Sequence, residues 1–194
     1  MKYSTSTAVL AAVLTIALPH PARAQVTPPP VPGNLQVDPG HQAFLIGHAY
    51  GTQNYVCLPS GTGFSWILYG PQATLFDEDG DQQITHFLSP NPDEGGTLRA
   101  TWQHSRDSSR VWALAIQTST DPMFVAPGAI PWLKLQVVGV ENGPTGGLKL
   151  SRTTFIQRVN TAGGSAPAAG CAAAGDVGKK ALVPYTTDYV FYRP

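Results

Sequence analysis

Charge is sparse in this sequence, and neither sign dominates: 12 Lys and Arg stand against 12 Asp and Glu in 194 residues. No basic run is longer than Lys179-Lys180. Nucleic acids are held by clustered cations that neutralise phosphates, so no nucleic-acid partner is expected. Cysteine is scarcer still, with two in the chain and no C-x-x-C spacing, which argues against thiol redox chemistry. None of the asparagines stands in an N-x-S/T sequon. Catalytic signatures are missing too. There is no G-x-S-x-G elbow, and the Ser, His and Asp residues stand in no order that singles out a triad. Gly163-Gly164 has neither a G-x-G-x-x-G context nor a helix pattern after it, so it is no phosphate cradle. After Leu18 no apolar run is long enough to cross a bilayer as a helix.

The apolar run before it, Ala8 to Leu18, is too short to span a bilayer; it follows Lys2 and is broken by Pro19 and Pro21 before Ala22-Arg23-Ala24. A short positive region, an apolar stretch and a small-x-small pattern predict a signal peptide over residues 1–24, cleaved before Gln25. The expected location is therefore extracellular or periplasmic, with no membrane span left after cleavage. The remainder has 10 basic and 12 acidic side chains and a length that suits one domain. Residues 25–41, rich in proline, read as an extended leader, mobile at its start, with Leu35–Val37 as a short edge strand. Residues 42–194 form the domain. Export permits a disulfide, and with two cysteines the bond, if formed, joins Cys57 to Cys171.

From Gln42 onward the apolar side chains recur with a period of two, interrupted by Gly, Pro, Asn and Asp, and no stretch shows a helical period. Gly51-Thr52 and Gly70-Pro71 read as turns. Trp66, Leu98, Trp102, His104, Leu133 and Leu135 fall on faces that alternate with polar positions, and Arg110–Thr118 is apolar on both faces. About ten strands at this spacing predict an all-β fold, an antiparallel sandwich or barrel carrying one disulfide.

Candidate sites are few. Asp77-Glu78-Asp79-Gly80-Asp81 alternates acids as a calcium loop does, but glycine and glutamate are missing from the sixth and twelfth positions, so a hairpin turn is expected and no metal. His86 and His104 fall on apolar faces of strands that meet if those strands pair. Trp132 shares its face with Lys134 and Gln136, which predicts an exposed ring open to a sugar or a partner. Arg158 alternates with Ile156 and Thr154 and points inward; an inward cation needs a partner, and Asp188 is the expected one. On that pairing, truncation of Arg158 to alanine lowers the melting temperature by several degrees.

The chain resembles the domain-of-unknown-function 3455 family of exported bacterial and fungal proteins. The resemblance lies in Tyr55-Val56-Cys57, Gly70 to Asp77 (GPQATLFD), Gly128 to Leu133 (GAIPWL), Thr153 to Cys171 and Val183 to Tyr189 (VPYTTDY). It spans most of Gln42 to Tyr192 and is interrupted over Ser89–Ser108 by an acidic loop. It implies secretion and a β-rich domain, and no activity.

The combined expectation is a secreted binding or structural module whose partner is a glycan or a protein at the cell surface, without a cofactor. The rival expectation is an extracytoplasmic hydrolase drawing acid and base from His86, His104 and Asp77 on separate strands.

Overall fold

The period-two pattern closes on itself. The structure, a computed structural model, describes residues 26–194, and the segment read as a signal peptide lies outside the described residues. Eight strands follow one another: β1 (Gln42–Ser60), β2 (Gly63–Phe76), β3 (Gln82–Asn91), β4 (Thr97–His104), β5 (Arg110–Ser119), β6 (Trp132–Glu141), β7 (Phe155–Gly163) and β8 (Lys180–Arg193). Each pairs antiparallel with the next, and β8 returns to pair with β1, so the sheet is a closed barrel. The all-β antiparallel expectation holds, with closure choosing the barrel over the sandwich.

The strand count falls from about ten to eight because two glycines read as turns lie inside long strands. Gly51 is paired on both sides, with Ala73 and Tyr185. A Cβ there would lie 2.1 Å from the Gln72 carbonyl oxygen, so the missing side chain permits close approach of β1 and β2. Gly70 marks a bulge, where the register slips between Asn54 and Tyr55 and the strand continues past it.

The apolar residues divide into two clusters. The larger fills the barrel interior, with Leu75, Ile84, Trp102, Val111, Leu135, Ile156, Tyr189 and Phe191 among its members. Leu133, Leu135 and Val137 belong to it, as their alternation predicts. Leu150 enters it from the β6–β7 connection and plugs the end of the barrel that carries the β2–β3 and β4–β5 turns. Asp107 ties that plug down, its carboxylate accepting from the backbone N–H of Lys149 at 2.8 Å.

The second cluster lies on the outer face, where Leu35, Val125, Trp132, Phe155, Val159, Val190 and Tyr192 pack together. The described part of the leader thus becomes part of the structure. Gly33–Leu35 is a 3-10 turn instead of the expected edge strand, Leu35 is fully buried, and its carbonyl accepts from Gln157 Nε2 at 2.7 Å. Segment 121–131 covers the same face through Val125 and Phe124. β5 is covered on both sides only in its first half: Val111, Trp112 and Ala113 are buried, whereas Leu114 to Thr118 are exposed. Double-sided apolarity in sequence there marks a wall that ends in solvent.

The disulfide forms between Cys57 and Cys171, with Cα atoms 5.5 Å apart. It fastens the connection 164–179 to the C-terminal end of β1, beside backbone bonds from Cys57 N–H to the Lys179 carbonyl and from Gly178 N–H to the Cys57 carbonyl.

Candidate functional site

At the end away from Leu150 the interior stays open, as a cavity of about 270 Å³. Every strand contributes to it. Gln53 of β1, His86 of β3, Arg99 and Trp102 of β4, Arg158 of β7 and Tyr189 of β8 supply its polar groups. Leu68, Leu88, Ala100, Ala113, Leu133 and Leu135 supply apolar wall. The rim is apolar as well: Leu98 at 61%, Leu68 and Leu114 are exposed although they border the cavity. The room arises where Ala100 and Ala113 sit opposite each other across β4 and β5, two small inward residues in register.

His86 lies flat against Trp102, ring centroids 4.2 Å apart, and meets Tyr189 edge-on at 5.0 Å. Its Nδ1 faces the Thr101 carbonyl oxygen at 2.8 Å. A carbonyl only accepts, so Nδ1 carries the proton and Nε2 the lone pair. Burial pulls the His86 pKa down to about 3; the Thr101 carbonyl opposes this, and the Arg158 charge adds to it. The imidazole is neutral at neutral pH. Burial raises the pKa values of the Tyr185 and Tyr189 phenols, which therefore stay protonated.

Arg158 points inward as its alternation requires, but the expected pairing with Asp188 is corrected. Arg158 is in register with Tyr189, and Asp188 with Val159. One residue along a strand reverses the face, so Asp188 lies on the outside with Val159. There it accepts from His48 Nδ1 and Asn160 Nδ2, each at 2.7 Å. Burial works against the charge on His48, but the Asp188 and Glu78 carboxylates outweigh it and raise its pKa. Arg158 instead donates through Nε and Nη2 to the Pro131 carbonyl oxygen, at 3.1 and 2.7 Å. The stability argument built on the ion pair lapses with it.

The exposed ring expected at Trp132 is also corrected. Trp132 is 4% exposed, enclosed by Phe124 at 5.5 Å and the outer cluster. Lys134, expected beside it as a ligand contact, is 7% exposed, paired with Asp38 at 2.9 Å and poised over the Phe155 ring. The leader and segment 121–131 cover a face that strand alternation alone would leave in water.

His86, His104 and Asp77 are not brought to one point. β3 and β4 do pair, yet His86 sits opposite Trp102 and His104 opposite Ile84. His104 is bound to Asp107, whose carboxylate also takes the Ser109 hydroxyl at 2.7 Å. Asp77 accepts from the N–H groups of Asp79 and Asp81 and from Gln83 Nε2, the work of a hairpin turn. Gln53, Tyr189 and the Ala100–Ala113 pair escaped the sequence reading as a site. Their signal was present only as inward alternation, which every core residue shares.

The family described as a protein of unknown function (DUF3455) matches residues 39–193. No curated protein and no solved structure matches the chain.

Proposed function

We propose that this chain, which belongs to the DUF3455 family of proteins of unknown function, is an exported β-barrel that binds a small, largely apolar molecule in its lumen. The observation that carries the reading is the half-filled barrel. One end is plugged by Leu150, and the other holds a cavity of about 270 Å³ with apolar walls and a few convergent polar groups, the composition of small-molecule sites. Small barrels of eight strands either fill with side chains or leave room for one small ligand.

Export is supported by the signal pattern of residues 1–24 and by a disulfide that persists in oxidising compartments. On this reading, mass spectrometry of the exported protein finds a chain beginning at Gln25. Recovery of the uncleaved chain from the cytoplasm alone overturns the export part.

The lumen is tested with N-phenyl-1-naphthylamine, a neutral apolar fluorophore. Saturable enhancement of its emission is expected with the wild-type protein. Ala100→Trp adds an indole to the cavity wall and is expected to weaken binding at least tenfold, with an unchanged far-UV circular dichroism spectrum. Absence of saturable binding, or equal binding by the variant, overturns the reading.

A further inference from the structure

We propose that Arg158 makes the lumen selective for small apolar carboxylates, molecules of on the order of ten heavy atoms with one negative headgroup and a hydrocarbon body. The inference rests on the lumen being a binding site and names the chemistry of its ligand. Arg158 is charged and inward, and among the described residues no carboxylate lies within 4.0 Å of it. Its five N–H donors have only neutral partners, the Pro131 carbonyl and the Tyr189 phenol beside it. Arg158 is half-buried and borders the open cavity, where an anionic headgroup can reach its remaining donors.

Two further donors, on residues that line the cavity, lack acceptors in the wall behind it. Gln53 Nε2 and Trp102 Nε1 are buried without hydrogen-bond partners. Gln53 lies close enough to Tyr185 to act on its phenol, but its amide makes no bond of acceptable geometry there. Among the described residues no carboxylate on the barrel's inner face supplies Arg158 with a counter-charge, so the space beside it suits an anionic headgroup. The phenols beside Arg158 are protonated and His86 is neutral, so neither supplies it with a counter-charge.

The rest of the cavity sets the size and the charge. An apolar cavity of about 150 Å³ accommodates benzene, and the space here is about 270 Å³, which scales to roughly ten heavy atoms. Leu68, Leu98 and Leu114 at the rim would flank the hydrocarbon end. A phosphate dianion suits the site poorly. The other cation bordering it, Arg99, is already neutralised by Glu94 through two bonds of 2.8 and 2.6 Å. One guanidinium matches one carboxylate.

The test uses calorimetric titration of the oxidised protein at pH 7.5 with three probes of equal chain length: octanoate, 1-octanol and octylammonium. Octanoate is expected to bind at least tenfold more tightly than octanol, and octylammonium more weakly than either. Arg158→Met is expected to abolish the preference for octanoate over octanol, and Arg158→Lys to keep part of it. Octanol binding as tightly as octanoate overturns the carboxylate assignment while leaving the lumen as a binding site. Retention of the preference in Arg158→Met overturns the role of Arg158. If none of the three probes binds and N-phenyl-1-naphthylamine also fails, the lumen reading falls together with this one. The three-probe order in the wild-type protein decides the matter even if a variant fails to fold.

Discussion

Reduction of the Cys57–Cys171 disulfide is expected to lower the melting temperature by roughly 10–15 °C. The bond closes a loop with a sequence separation of 114 residues. Removing a cross-link of that span restores about 4–5 kcal/mol of chain entropy to the unfolded state. For a domain of this size each kcal/mol is worth about 2–4 °C. The effect acts on the unfolded chain, because the folded barrel retains its other ties at the same place. β1 and β8 stay paired from Gln42 to Val56. The 164–179 connection keeps the bond from Trp66 Nε1 to the Ala169 carbonyl at 3.0 Å. Melting curves with and without a phosphine reductant, and of a Cys57→Ala/Cys171→Ala double variant, measure it. Shifts of two degrees or less in both would show that the bond holds down only a surface loop.

Acid is expected to destabilise the protein through His86, by about 3 kcal/mol between pH 6.5 and pH 4. In the unfolded chain the imidazole takes up a proton near pH 6.5, whereas in the barrel it resists until about pH 3. Below pH 6.5 the unfolded state therefore binds more protons, and stability falls by about 1.4 kcal/mol for each pH unit until the folded pKa is reached. The contribution is fully present above pH 6.5 and is lost as the pH drops through that window. Desolvation is the main cause, since Trp102 and Tyr189 enclose the ring and the Thr101 carbonyl offsets only part of it.

His86→Phe keeps an aromatic ring and removes the proton site. It is expected to be less stable than wild type at pH 7, because the Thr101 carbonyl loses its donor. The gap should then close or reverse by pH 4. Urea melts of both proteins at pH 7, 5.5 and 4 read this out. Parallel stability profiles would mean that carboxylates such as Asp107, held down to about 2 chiefly by the Ser109 and Lys149 bonds that outweigh its burial, carry the acid sensitivity instead.

How far the candidate site was legible shows best at Arg158 and Trp132. Both directions rested on the same rule, that neighbours along a strand face opposite ways. At Arg158 the rule gave the right face and the wrong partner. Its failure lay in register, because Asp188 is one residue out of step with Arg158 across β7 and β8. At Trp132 the rule gave the outer face correctly, and the leader and segment 121–131 then covered it. A long-range covering leaves no trace in local periodicity. Likewise Gly51 and Gly70 carry the same composition as turns, and only the neighbouring strand shows that they permit close approach and a bulge.

The sequence by itself determined the β class, the alternation that turns Leu133, Leu135 and Arg158 inward, and the one disulfide its two cysteines allow. These are local or combinatorial matters: side-chain period follows from backbone pleating, and two cysteines have one pairing. Tertiary structure alone decided that the sheet closes, that Ala100 meets Ala113, and that Gln53, Trp102, Arg158 and Tyr189 from four strands surround one space. Closure and register depend on which strands pair and in what step, energies that are summed over the whole sheet and are not encoded in any single stretch.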